Sequence, residues 1–176
     1  MGIVSQTKED LLAQKLGQIE PAAAALVSRL GLAPHPEGGF FREIYRSAVT
    51  VQKGPAVRSA FTCIYFLLAA GQLSRWHAVA SDEMWQFVEG GALELFSYNP
   101  QSGVLDKTVL GAAETEKRSF VVPADHWQAA RPLGAHALVT CVVAPGFDFA
   151  DFQFVADMPA HPPHFQRTLA PYQSLL

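Results

Sequence analysis

Along the 176 residues the spacing of apolar positions changes once, and the change divides the chain. Near the N-terminus the spacing is helical. Thr7 with Asp10 three residues on forms a weak capping pair, and Leu12, Leu16 and Ile19 then recur at i, i+4 and i+7. Pro21 suits a first helical position, Ala23, Leu26, Val27 and Leu30 form one stripe, and Gly31 with Pro34 beyond it ends the pattern. Two short helices over residues 7–31 follow from this.

From Phe40 the period becomes two. Phe41, Glu43 and Tyr45 alternate with Phe40, Arg42, Ile44 and Arg46, and β-rich runs follow near 58–69, 72–79 and 84–89. Gly90-Gly91 between two such runs reads as a two-residue hairpin, and Asn99-Pro100-Gln101-Ser102-Gly103 as a longer turn before Val104–Leu110. Further strands fit 118–122, 126–131 and 136–144. Short strands between Gly and Pro turns predict an all-β fold, a jelly roll of roughly eight or more strands preceded by the two helices. The pattern makes residues 1–157 one domain and 158–176, with Pro159, Pro162, Pro163 and Pro171, an irregular tail.

Composition narrows the function classes. Hydrophobic residues at 49% against 16% charged supply a core for a single domain. A net charge of -3 gives no basic stripe, so no nucleic-acid partner is expected. The longest apolar run, near Ala60–Ala70, falls short of the ~20 residues of a membrane span, and Met1–Asp10 lacks a signal-peptide pattern. No membrane partner and a cytoplasmic location are the expectation. Cys63 and Cys141 lie in apolar runs where a thiol packs as a small hydrophobe, so no disulfide is expected.

The chemistry concentrates where Gly71, His77, Glu83 and Gly90 are spaced along two strands. This spacing resembles the first motif of the cupin superfamily: Gly, five residues, His, one, His, three, Glu, six, Gly. Val79 stands at the second His. Three more segments, His35-Pro36-Glu37-Gly38-Gly39, Val122-Pro123-Ala124-Asp125-His126-Trp127-Gln128 and Val143-Ala144-Pro145-Gly146-Phe147, strengthen the likeness to the uncharacterised cupin family that carries the His-Pro-Glu-Gly-Gly motif. The resemblance implies a cupin β-barrel, similar also to dTDP-sugar 3,5-epimerases, and a homodimer that exchanges strands.

Metal-binding cupins would complete the site with histidines at the Val79 and Gln128 positions, so the resemblance leaves a reduced set: His77, Glu83, Gln128 and His126 toward Zn, Fe, Mn or Ni. The alternative is a metal-free pocket. There His77 suits proton transfer, with Glu83 or Asp82 to orient it, and His77 and Glu83 are the catalytic candidates. The epimerase likeness adds Tyr65 or Tyr98 as nominal acids. Arg75, Arg42 and Arg131 suit an anionic group, while Trp85, Phe87 and Trp127 suit a sugar or ring, with Asp82 and Gln128 as further ligand contacts.

Structural alternatives stand beside these readings. A Glu83–His77 pair serves a barrel core as well as a reaction, the tryptophans suit the core, and the arginines suit local ion pairs. His35 and Glu37 fall in a turn with local hydrogen bonds, and His136, His161 and His164 are placed at the surface. Cys141 reads as filler. The preferred function is binding of a small polar or anionic molecule, such as a sugar derivative, with isomerase-like proton transfer. A metal-dependent dioxygenase or decarboxylase and a non-catalytic metabolite-binding module are its rivals.

Overall fold

The computed structural model describes residues 13–158 and 167–175. Of the first expected helix, residues 7–12 lie outside them, 13–16 are helical and 17–19 turn instead of continuing it. Helix α1 (Pro21–Leu30) starts on its proline and ends at Gly31 in the left-handed region, as its residues dictate.

Numbered along the chain, thirteen strands follow among the described residues. One six-stranded sheet runs, in spatial order, β1 (Ala33–Pro34), β2 (Phe40–Arg46), β5 (Thr62–Ala69), β12 (His136–Ala144), β7 (Asp82–Gly90) and β10 (Ser119–Val122). A five-stranded sheet runs β13 (Phe152–Phe154), β6 (Ser74–Val79), β11 (Trp127–Pro132), β8 (Leu93–Tyr98) and β9 (Leu105–Leu110). A hairpin of β3 (Thr50–Lys53) and β4 (Ala56–Ser59) stands apart. The apolar run expected as one strand over 58–69 is thus broken at Ala60-Phe61, and its first part turns back on β3.

The Gly90-Gly91 hairpin is not formed. β7 bonds to β12 and β10, while β8 lies in the other sheet against β11 and β9. The two glycines carry the chain from sheet to sheet, where Gly91 N donates to the His136 carbonyl at 2.8 Å. The local signal for a tight turn holds, but the partner across it does not, because turn residues specify a reversal and the burial of each strand's apolar face specifies its sheet.

Alternation places the core. Phe66, Leu68, Trp85, Val139 and Ala137 meet Leu93, Leu95, Leu110 and Ala130 between the sheets. On the outer face of the first sheet Phe40, Leu67, Ala69 and Leu138 are covered by Ala23, Leu26 and Val27 of α1. This is why β5 reads as an unbroken apolar run: both of its faces are covered. Each fully buried leucine, valine or phenylalanine among them contributes about 1.5–3 kcal/mol.

The outer face of the second sheet presents Trp76, Phe96, Tyr98 and Trp127, covered by Val155, Leu169 and Leu175. Of the tail expected to be irregular, residues 167–175 form helical turns that supply those two leucines, whereas His161 and His164 lie outside the described residues. Among the described residues no helix is long and apolar enough to cross a membrane, and Cys63 and Cys141 are free thiols.

Candidate active site

The inward faces of the strands change character along the barrel. At one end Leu68, Phe66 and Ala137 pack solidly; at the other Thr62, Ile64, Cys141 and Val143, two to six residues along the same strands, line a cavity of about 320 Å³. His77, Val79 and Glu83 enter it from β6 and β7, and Phe41 and Glu43 from β2. Phe147, Asp148, Phe149 and Phe152 form much of its remaining wall.

The His-Pro-Glu-Gly-Gly loop supplies two side chains that sequence reasoning left in a turn. Gly38 and Gly39 have φ of 118° and 66°, and a Cβ on either would overlap the carbonyl of Leu73 or Leu67. The loop is therefore pressed against β5 and the segment before β6, and its neighbours His35 and Glu37 line the cavity. Arg75 N bonds the Glu37 carbonyl at 3.0 Å, and the Arg75 side chain bonds the Pro36 carbonyl at 2.7 Å. The adjacent glycines hint at a close backbone approach, but that Glu37 faces the cavity depends on Leu67 and Leu73 from elsewhere in the chain.

Glu37, 5% exposed, places Oε2 at 3.0 Å from His77 Nδ1 and Oε1 at 3.5 Å from His35 Nδ1. The His77 ring, 2% exposed, also has Nδ1 at 2.7 Å from the Arg75 carbonyl and stacks on Phe152 at 5.1 Å. Burial disfavours its imidazolium, but the Glu37 carboxylate, helped by Glu83 and the Arg75 carbonyl, outweighs burial and lifts the His77 pKa to about 9. For Glu37 burial also opposes the charge, and His77 nonetheless holds its pKa below the ordinary carboxylate value. The His35 pKa, unlike that of His77, falls, because burial outweighs its share of Glu37.

On the other side of the ring stands Gln128. The Trp85 indole N–H, which can only donate, gives its hydrogen to Gln128 Oε1 at 2.9 Å, so the amide nitrogen must face inward. That nitrogen donates to Glu83 Oε2 at 2.5 Å and lies 3.1 Å from His77 Nε2. Burial raises the Glu83 pKa above its ordinary value despite His77 nearby. Burial likewise keeps the Cys141 thiol protonated, with a hydrogen bond to Glu83. Cys141 is thus a donor to Glu83 as well as packing material.

His77, Glu83 and Gln128 are brought together as expected; the other candidates are not. Parity explains most of the corrections. Asp82 points opposite Glu83 and accepts from Ala124 N at 2.9 Å, and Arg131 points opposite Gln128 and pairs with Glu94 at 2.6 Å. Arg42 lies on the outer face beside Gly31, and a bulge after Glu43 shifts the alternation so that Arg46, rather than Tyr45, joins Phe41 and Glu43 at the cavity. Arg75 is exposed, with its guanidinium 4.7 Å from the Phe154 ring centre, and it braces the loop rather than lining the cavity.

Trp85 and Phe87 pack into the core between the sheets and Trp127 into the outer cluster, so none walls the cavity. Tyr65 and Tyr98 belong to the two outer clusters, away from His77. His136 is not a free surface histidine but bonds the Glu20 carboxylate at 2.5 Å.

The reduced metal set does not fit these positions. His126 lies in the turn before β11, where Asp125 has φ of 63° and strand alternation has not begun, and its Nδ1 is 3.2 Å from Ser97 Oγ. Gln128 offers hydrogens, because Trp85 occupies its oxygen. Only His77 and Glu83 remain of the four, and among the described residues no group of three or more His, Cys, Asp or Glu is arranged to hold a metal ion.

Comparison with known proteins agrees with the architecture. A family described as Cupin superfamily (DUF985) matches residues 24–155. A solved protein from Shewanella oneidensis is 31% identical with a TM-score of 0.74, covering 86% of this chain and 94% of its own. A hypothetical protein from Leishmania major is 30% identical with a TM-score of 0.69, covering 81% and 96%. Oxalate decarboxylase from Bacillus subtilis, at 19% identity and a TM-score of 0.55, shares the fold over 81% of this chain and 34% of its own. No curated protein matches the sequence. With the family match spanning most of its length, the chain belongs to the cupin superfamily, in the family designated DUF985.

Proposed function

We propose that the barrel binds a small polar molecule and moves a proton on it, in isomerase- or epimerase-like chemistry centred on His77 and Glu83. One observation carries the reading. His77 sits between two groups that favour opposite charge states: the Glu37 carboxylate at Nδ1 favours the imidazolium, while the Gln128 amide N–H beside Nε2 favours a neutral ring that accepts there. The two carboxylates are also driven apart, Glu37 toward the charged form and Glu83 toward the protonated one, as an acid and a base in one site require.

In this reading Glu37 fixes the tautomer and orientation of His77, Gln128 couples His77 to Glu83, and Glu83 and His77 exchange the proton with substrate. A hydroxy-carbonyl compound, with its acidic C–H beside the carbonyl, is the class this suits. The test needs no known product. Hydroxy-carbonyl compounds are incubated with the protein in D2O, and loss of the C–H proton signal is followed by NMR. Exchange that drops by about 10²–10⁴-fold in His77→Ala, with folding intact, is the expected result. Saturable binding without exchange across the series would transfer the cavity to a metabolite-binding role.

A metal-assisted reaction, such as the decarboxylation in the name of the Bacillus subtilis neighbour, is less favoured, since among the described residues no group of three or more His, Cys, Asp or Glu is arranged to hold the ion. For assembly we propose a homodimer formed along β2. Its outer edge is covered by β1 only at Phe40 and Phe41, and Ile44 and Tyr45 beyond are 38% and 52% exposed. A one-chain mass by light scattering would remove that proposal.

A further inference from the structure

Every arginine that the sequence offered to an anion is occupied elsewhere or exposed outside the cavity. Arg131 pairs with Glu94, Arg75 braces the Pro36 carbonyl, and Arg42 lies beside Gly31. The two cations on the cavity wall are His77 and Arg46, and each already holds a carboxylate. His77 has Glu37 at 3.0 Å, while Arg46 forks onto Glu43 at 2.9 and 2.7 Å and reaches the Phe147 carbonyl at 3.2 Å.

Two further acids line the same cavity, Glu83 and Asp148; among the described residues neither is in ion-pair contact with a lysine or arginine, although Arg46 and Arg58, already bound to Glu43 and Asp151, lie near enough to Asp148 to feel its charge. Glu83 is held by a neutral amide, and Asp148 spends one oxygen on the backbone N–H of Ala150. Much of the remaining wall is aromatic. Phe147, Phe149 and Phe152 cluster with ring centres 5.0–6.3 Å apart, and Phe149 is 59% exposed.

An anion in this space would meet aromatic rings and two acidic side chains, with no uncommitted cation among the described residues to receive it. A cation gains from both, since aromatic rings attract positive charge and carboxylates pair with it, and at Glu83 it would favour the ionised form that burial disfavours. We propose that the cavity selects a small organic cation, an ammonium group carried on an apolar body, through Glu83, Asp148 and the phenylalanine cluster. This rests on the cavity being the ligand site and narrows the carbonyl compounds proposed for it to those that also carry an ammonium group.

The experiment compares three probes of one shape and different charge, benzylamine, benzyl alcohol and benzoate, with dissociation constants measured on the full chain by ligand-observed NMR near pH 7. The amine is expected to bind about tenfold more tightly than the alcohol, the ratio that 1.4 kcal/mol gives, with benzoate weakest. Glu83→Gln and Asp148→Asn, which keep size and hydrogen bonding, should each shrink the preference. Benzoate binding as well as the amine, a preference untouched by both substitutions, or failure of all three probes to bind would overturn the proposal. The measurement reads affinity, not turnover. A protein that selects the amine yet exchanges no proton would cost the acid–base reading alone, and one that exchanges protons while favouring benzoate would cost only this one.

Discussion

Glu83 and Glu94, on consecutive strands of the barrel, are both nearly withdrawn from solvent, at 6% and 4% exposure, yet they sit in opposite electrostatic settings. Glu94 points outward from the second sheet and holds Lys107 at 2.6 Å and Arg131 at 2.6 Å, whose charged ends reach the surface. Burial works against its charge, but the two cations outweigh it and its pKa falls. Glu83 points inward and receives only an amide N–H and a thiol, so burial wins and its pKa rises. A barrel that could have neutralised Glu83 with an arginine, as it does Glu94, leaves that carboxyl able to take and release a proton. The difference separates a carboxylate that ties its strand to both neighbours from one available for chemistry.

The comparison breaks if the two glutamates respond alike to the same isosteric change. Glu83→Gln should lower proton exchange by about 10²–10⁴-fold, because an amide keeps the shape and loses the proton. It should leave thermal stability level or slightly raised, since the carboxyl it replaces is one whose ionised form is disfavoured. Glu94→Gln should leave exchange unchanged and cost about 1 kcal/mol, a figure held down because the Lys107 and Arg131 side chains are 49% and 40% exposed. Parallel exchange assays and melting curves on the two variants read both halves. Loss of exchange in Glu94→Gln, or marked destabilisation in Glu83→Gln, would end the distinction.

The same contrast explains what was legible in the sequence. Period-two alternation identifies which residues share a face, and the cupin spacing placed His77 and Glu83 correctly together. It also carries the information that Asp82 and Arg131 face away, since each stands an odd number of positions from an inward neighbour. Alternation fails where the ladder is interrupted. The bulge after Glu43 puts Arg46 at the cavity, and the turn at Asp125 removes His126 from the strand. Glu37 was hidden for another reason. No local pattern states that a loop between helix and strand will be pressed into the barrel mouth, because that depends on Leu67 and Leu73 from elsewhere in the chain. Likewise the inward turn of the Gln128 amide follows from the Trp85 indole, 43 residues away.

Glu37 supplies the finer test, since it separates burial from pairing at a single ring. With Glu37 present, the His77 pKa of about 9 lies above the ordinary 6.5, so the pair's stabilisation is complete below about pH 6.5 and is lost as pH rises through about 9. For Glu37 itself the shift is downward, so its part is present above about 4.5 and is lost as pH falls through its lower folded value. Between those limits the pair is intact. In Glu37→Gln the largest force raising the His77 pKa is gone while burial stays, so the imidazole should titrate below 6.5 and be neutral at pH 7. The cost at neutral pH is up to about 3 kcal/mol, limited because the ring sheds its charge rather than remaining an unpaired buried cation. The neutral ring accepts from Gln128 in full, so the fold has a second way to satisfy Nε2. NMR titration of the His77 ring carbon protons in both proteins reads this directly, with Glu94→Gln as the variant that leaves the titration in place. A His77 pKa still near 9 without Glu37 would mean that Glu83, not the loop, holds the proton on the ring.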